Sequence, residues 1–230
     1  VKGGPLVGFE LHVVEGGAAD FHRDHIIPPL TRSVFVSRLQ RPAIILGSTQ
    51  KLSDDMVSKA KEIDFELVRR SSGGTGVIAL PHECVWIDIS FPVDDPLIEA
   101  NVSRSFDLVA RGWFDALSFL GVSGLEVKGR PIVMDPLASQ VCFTSKAPGE
   151  ILVGGRKLVG MAQRRSRHAC FIHTMCYIKF PYDLTSQLLL GEIDSVDHLR
   201  QMVTDLIDVA PWVAQSDDLT IGNLIGEAIF

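Results

Sequence analysis

Ile151-Leu152-Val153-Gly154-Gly155-Arg156-Lys157-Leu158-Val159-Gly160-Met161-Ala162-Gln163-Arg164-Arg165 is the stretch on which the reading of the fold turns. A Gly-Gly pair between two apolar runs signals a two-residue hairpin, because both central residues of such a turn take a left-handed backbone that glycine adopts without strain. The flanking runs, 150–153 and 157–163, therefore read as paired antiparallel strands. Side chains alternate faces along a strand, so Lys157, Val159, Met161, Gln163 and Arg165 are expected on one side. A further apolar run at 169–180 continues this second set of strands, and 141–144 is expected to open it.

Working outward, 6–14 and 33–39 read as strands separated by a polar stretch with Pro28-Pro29 as a breaker. Residues 43–46 form a short apolar strand that stops at Gly47. Ser53 is an N-cap with Asp54 and Asp55 in the first turn of a helix. Segments 65–68, 76–80 and 84–91 read as strands. The strongest helix spans 101–120, where Val102, Phe106, Val109, Ala110, Trp113, Leu117 and Leu120 share one stripe that reads as core packing. Two more helices are expected at 196–207 and 219–229. Strands in blocks and helices in blocks make the class α+β, with mixed and antiparallel sheets against packed helices. Without repeats or a long linker, 1–230 is expected to be one domain.

The 230 residues are ample for a buried core, and 46% hydrophobic with 22% charged residues describes a globular chain. With 22 Lys+Arg against 28 Asp+Glu the net charge is −6, so no basic stripe for nucleic acid is expected. No apolar run reaches the roughly 20 residues a membrane helix needs, and no signal-peptide pattern opens the chain. Cys84, Cys142, Cys170 and Cys176 have no CxxC spacing, which suits a reduced, cytoplasmic protein.

Two segments carry chemistry. In Val68-Arg69-Arg70-Ser71-Ser72-Gly73-Gly74-Thr75-Gly76 a strand ends in two guanidiniums, followed by glycines and hydroxyls. Glycines let backbone N–H groups approach an anion, and arginines supply bidentate donors. Taken alone, this is equally a solvated hairpin loop. The second segment is the opening stretch, where Lys157, Gln163 and Arg165 on one face could bind a carboxylate and its phosphate ester. Taken alone, that is an exposed hairpin with a basic end.

Together, the arginine-flanked glycine loop and a Gly-Gly-Arg-Lys-x-x-Gly-x-Ala-Gln-Arg-Arg hairpin about 80 residues later resemble the lipoate–protein ligase and octanoyltransferase family. That family shares its catalytic fold with biotin–protein ligases. Arg41-Pro42-Ala43-Ile44-Ile45-Leu46-Gly47-Ser48-Thr49-Gln50 also looks like the family's early strand. The resemblance implies an enzyme that places a lipoyl or octanoyl group on one lysine of a lipoyl domain, in 2-oxoacid dehydrogenases or the glycine cleavage H protein. It implies that Lys157 contacts the activated acyl carbonyl, stabilising the oxyanion that develops there. Arg69, Arg70, Ser71, Ser72, Gly73, Gly74, Thr75, Gly76, Val77, Gly155, Gly160 and Gln163 would bind the acyl chain and adenylate, with Ile78 and Val85 further along the tunnel wall. The chain departs from the ligases in two places. Ala79-Leu80 stands where they carry a His-Asp pair, and the loop reads Gly-Gly-Thr-Gly. Their C-terminal accessory domain is not expected in this chain.

Cys142 lies 15 positions before Lys157, in the loop that holds a nucleophilic cysteine in the family's cysteine-dependent members. Its thiolate could carry the acyl chain without ATP, with Lys146, Arg156 and Lys157 lowering its pKa; the alternative is a small buried hydrophobe. Cys170, His173 and Cys176 do not suit zinc, since His173 is an odd number of residues from both cysteines, and no metal site is expected. His168 would belong to a basic rim with Arg164, Arg165 and Arg167 that meets an acidic acceptor or carrier protein. His12, His22, His25, His82 and His198 have no evident partner. Asp94-Asp95 before Pro96 reads as a turn.

The reading placed first is a ligase that uses ATP and Mg²⁺ to make an acyl-adenylate from lipoate or octanoate. The alternative is an ATP-independent transferase that takes the acyl group from octanoyl-acyl carrier protein onto Cys142. A third reading is a non-catalytic acyl- or nucleotide-binding relative. Lys157→Ala is expected to leave the fold intact, as an exposed lysine would.

Overall fold

Apolar alternation and short loops give the chain two sheets and a set of helices, seen in a computed structural model that describes residues 8–22, 31–98, 101–167, 169–191 and 195–229. Strands β1 (Phe9–Gly16), β2 (Arg32–Leu39), β3 (Ala43–Leu46), β4 (Glu66–Arg69), β5 (Val77–Ala79) and β6 (Cys84–Pro92) fill the first half, with helices α1 (Ala18–His22) and α2 (Asp54–Glu62) between them. Helix α3 (Val102–Phe119) precedes β7 (Leu125–Val127), β8 (Ile151–Val153), β9 (Arg156–Arg165) and β10 (Ala169–Tyr177). Short helices α4 (Tyr182–Thr185), α5 (Val196–Met202) and α6 (Leu206–Val209) lead to α7 (Asp218–Ile229). The class is α+β, as the blocks of pattern imply.

The larger sheet runs β1-β2-β6-β10-β9-β8-β7, and a three-stranded sheet runs β4-β3-β5. Both are mixed: β1–β2 and β3–β4 are parallel, and the remaining pairs are antiparallel. Helix α3 lays Val109, Ala110, Trp113, Ala116 and Leu117, all fully buried, on one face of the large sheet against Ile87, Ile89, Val159 and Ile172. Val102, at the start of that stripe, is exposed. Trp113 satisfies its buried indole by donating to Thr174 Oγ1 at 3.0 Å, and Thr174 donates onward to Ile87 O. The opposite face of the sheet packs Trp86, Met175 and Tyr177 against Ile45, Val77 and Phe143. Ser53 caps α2 by accepting from Met56 N. Among the described residues no helix is long and apolar enough to cross a membrane.

The structure corrects four expectations. Residues 141–144 do not form a strand: Cys142–Thr144 is a 3₁₀ turn, because its polar groups bond inward. Thr144 Oγ1 donates to Val141 O, and the carbonyls of Cys142 and Ser145 accept from Lys157 Nζ. The helix expected at 196–207 breaks at Val203, where the chain leaves to bridge Lys157 and Asp205 starts α6 by capping Asp208 N. Strict alternation along β9 fails too. Ile151 faces Val159 while Leu152 faces Lys157, so Leu158 is an extra residue in a bulge. Val159 therefore packs under α3, whereas Lys157 turns to the opposite side beside Phe143. Finally, Lys157 is not exposed. Its side chain has no solvent-accessible surface. Leu6, Pro28, Pro29, His25 and His168 lie outside the described residues.

Candidate active site

The glycine loop and the 3₁₀ turn are stitched by backbone bonds, Cys142 N to Gly76 O at 2.9 Å and Gly76 N to Gln140 O at 2.8 Å. This sets the Cys142 thiol under the loop. Arg70 follows β4, its N–H donating to Leu46 O, and its side chain folds beneath the loop that follows it. There Nε donates to Gly73 O at 3.2 Å, while Nη2 donates to Thr75 O at 3.1 Å and reaches Cys142 Sγ at 3.6 Å. Gly74 makes the approach possible. It holds φ +95°, and a Cβ there would stand 2.4 Å from Arg70 Nη2 and 3.2 Å from Cys142 Sγ.

Lys157 closes the site from the other side. Its ammonium lies 2.6 Å from Glu150 Oε1, donates to Cys142 O at 3.0 Å and Ser145 O at 3.1 Å, and sits 5.0 Å above the Phe143 ring. All three of its N–H donors are thus taken by the protein. Glu150 is itself buried and fixed by accepting from Ala147 N at 2.7 Å. Burial pushes the Cys142 thiol up, but the Lys157 ammonium and Arg70 guanidinium overcome it, helped by a backbone hydrogen bond from Thr75 and opposed by Glu150. The thiol ends below the ordinary range. Cys84 and Cys176 show the contrast: burial pushes both thiols up.

Beside this cluster lies a small cavity between the two sheets. Ile45, Val77, Trp86, Phe143, Met161 and Met175 make its apolar wall, with Gly160 and Ala162 on β9. Its polar lining is Arg70 and Cys142, and also His22, His173 and Thr174. Small, mostly apolar clefts with a few convergent polar groups are the usual form of a ligand site.

Of the residues singled out in the sequence, Arg70, Cys142, Val77 and Gly160 line the cavity, and Lys157, Gly73, Gly74, Thr75 and Gly76 build the shell that holds the thiol. Others fall elsewhere. Arg69 and Ser71 face solvent, and Ser72 is buried. Gly155 sits in the hairpin turn with nothing near it. Gln163 lies further along β9 and bonds Cys170 Sγ at 3.0 Å. Ile78 packs in a separate cluster with Ile44 and Leu46, and Val85 under α3. Arg156 pairs with Asp208 at 3.2 Å, and Lys146 bridges Val133 through its backbone, so the cation beside the thiol besides Lys157 is Arg70 instead. His173 looks into the cavity while Cys170 and Cys176 pack into the core under α3. Among the described residues no cluster of His, Cys, Asp and Glu is placed to hold a metal ion.

Sequence reasoning missed Glu150, His22, His173 and Asp88. Glu150 was within reach: a lone carboxylate opening the strand that pairs with the lysine strand. The histidines meet only through packing, with His22 from α1 and His173 from β10. Of the remaining histidines, His82 pairs with Asp218 at 2.9 Å, His198 with Asp135 at 2.8 Å, and His12 stacks on Phe35.

The lipoyl protein ligase A/B catalytic domain family matches residues 24–221. The octanoyltransferase LipM of Moorella thermoacetica is 30% identical over 183 residues, covering 74% of this chain and 65% of the relative. That of Carboxydothermus hydrogenoformans is 29% identical over 151 residues, 65% of this chain and 54% of its own length. The chain thus spans between half and two thirds of these relatives. A solved lipoate-protein ligase A bound with ATP superposes with a TM-score of 0.68 at 18% identity, covering 94% of this chain and 81% of that one. A putative lipoate protein ligase of Thermoplasma acidophilum superposes with a TM-score of 0.66 at 17% identity, covering 94% and 81%. At these identities the two structures share the fold.

Proposed function

The chain belongs to the lipoyl protein ligase A/B catalytic domain family, and from that premise we propose that it transfers an octanoyl or lipoyl group to a lysine of a lipoyl domain through a thioester on Cys142. The observation that carries this is the position of Cys142, on an apolar cavity and between two buried cations that favour its thiolate. The donor is an acyl thioester such as octanoyl-acyl carrier protein. The acceptor is the lipoyl domain of a 2-oxoacid dehydrogenase or the glycine cleavage H protein. A reducing, cytoplasmic setting goes with a working thiolate.

In the first half-reaction the Cys142 thiolate attacks the donor carbonyl. The donor thiolate leaves, and the acyl group stays on Sγ with its chain against Val77, Phe143 and Met175. In the second, a neutral acceptor amine attacks that thioester, the Sγ–acyl bond breaks, and the amine sheds its proton as the thiolate returns. Lys157, with its donors committed, acts by holding the 142–145 turn and by its charge. Arg70 Nη1 makes no hydrogen bond to the described residues and is the donor we assign to the developing oxyanion.

ATP and Mg²⁺ stand outside this reading. The Gly73 and Thr75 carbonyls accept from Arg70, which commits its Nε and Nη2 to the loop rather than to a phosphate. Ala79, where the ligases carry a histidine, is fully buried. No step is routed through a nucleotide.

The test is the intact mass of an apo lipoyl domain in two incubations, one with octanoyl-acyl carrier protein, the other with octanoate, ATP and Mg²⁺. A gain of one octanoyl group in the first alone is expected. A gain in the second alone would replace this reading with the adenylate route.

A further inference from the structure

Among the described residues, large exposed apolar side chains stand apart in the chain except at Ile132, Val133 and Met134, which are 57%, 44% and 67% exposed in succession. Single exposed apolar residues are ordinary, whereas a contiguous group beside a reactive centre marks a contact surface. This run is held next to Cys142. Val133 and Lys146 bond each other twice through their backbones, both at 2.9 Å. Lys146 follows Ser145, whose hydroxyl donates to Cys142 O at 3.2 Å and whose carbonyl accepts from Lys157 Nζ. Before the run, Lys128 Nζ donates to Pro131 O at 2.9 Å, and after it Asp135 accepts from Leu137 N at 2.9 Å. Both ends are therefore fixed while the three side chains stay in solvent.

The patch carries surplus positive charge. Lys146 stands across from Val133, and directly opposed residues of an antiparallel pair share a face. Of the carboxylates close by in the chain, Asp135 and Glu150 are taken by His198 and Lys157. That leaves Glu126 against Lys128, Arg130 and Lys146. The two proteins that exchange the acyl group reach Cys142 differently. A carrier protein's thioester hangs on a long flexible arm, whereas the acceptor amine ends a lysine side chain only about 6 Å long. The acceptor must therefore lay its own surface over the surroundings of the thiol. An ordinary interface takes about 800 Å² from each partner, and a segment pinned to Lys146, four residues from Cys142, falls inside that footprint.

We propose that Ile132, Val133 and Met134, flanked by Arg130 and Lys146, form the docking surface for the acceptor domain, an acidic protein that sets an apolar patch beside its target lysine. The inference rests on the acyl-transfer reading of Cys142. The apolar side chains supply the contact area, and the cations set the approach of the partner.

The test separates the two half-reactions. Ile132→Ser with Met134→Ser alters only exposed side chains, so the thermal unfolding midpoint should hold. Formation of the acyl-enzyme from octanoyl-acyl carrier protein, and its cleavage by hydroxylamine, should also be unchanged. The KM for an apo lipoyl domain should rise at least about tenfold, the effect of losing a central contact. Arg130→Glu should raise that KM roughly threefold, by a margin that shrinks as salt is added. An unchanged lipoyl-domain KM in the double variant, with Cys142 still acylated, would overturn the inference and leave the transfer reading standing. Acylation from the carrier protein that falls as far as transfer does would give the patch to the carrier and overturn it as well. If the unaltered protein forms no acyl-enzyme, the transfer reading falls and this inference with it.

Discussion

Two glycine-marked turns, 73–76 and 154–155, look alike in the sequence and do opposite work. At 154–155 the glycines hold φ +57° and +74° with open space around both. They serve the turn alone, and the hairpin contributes to the site through Lys157, two residues later. At 73–76 two of the three glycines serve contact: Gly74 lets a guanidinium reach the thiol, and a Cβ on Gly76 would stand 2.6 Å from Gln140 O. Glycine in a motif is therefore weak evidence of a ligand until its neighbours are known.

That difference can be broken at several points. The largest effect belongs to the hairpin's lysine. Lys157→Met leaves Glu150 as an unpaired buried charge and should cost about 3–5 kcal/mol in urea unfolding. Lys157→Met with Glu150→Leu should recover most of it. Equal costs for the single and double variants would mean the ion pair is not what holds the turn. Gly74→Ala comes next, at about 2 kcal/mol, for its left-handed backbone and for the displaced Arg70. It should also slow alkylation of Cys142 by iodoacetamide, and unchanged reactivity would separate the loop from the thiol.

Arg70→Met should shift the pH midpoint of that alkylation upward, since removing a positive charge disfavours the thiolate. The folded thiol titrates low, so reactivity in the unaltered protein persists to more acidic pH than for an ordinary cysteine. The smallest effect is Gly155→Asn, within roughly 0.5 kcal/mol and without change at Cys142, because asparagine tolerates the left-handed region and meets nothing there. A loss of reactivity in that variant would erase the contrast between the two turns.

What the sequence makes legible follows the range of the forces involved. The α3 stripe from Val109 to Leu117, the Ser53 cap and the Gly154-Gly155 turn are set by neighbours in the chain, and each appears where its pattern puts it. Cys142 and Lys157 were legible as candidates through their spacing and resemblance. Their environment was not. The Leu158 bulge, which turns Lys157 away from the face that strict alternation assigns, depends on the register with β8. The 3₁₀ turn at Cys142 depends on carbonyls being claimed by Lys157. His22, His173 and Asp88 come from three elements spread over 150 positions, and no local pattern links them.

The central claim is that Cys142 carries the acyl group. Its direct measurement is the intact mass of the protein itself after incubation with octanoyl-acyl carrier protein and no acceptor. The account predicts a gain of one octanoyl group, mapped to Cys142, released by hydroxylamine and absent in Cys142→Ser. No adduct while transfer to a lipoyl domain proceeds, or an adduct that persists in Cys142→Ser, would contradict it.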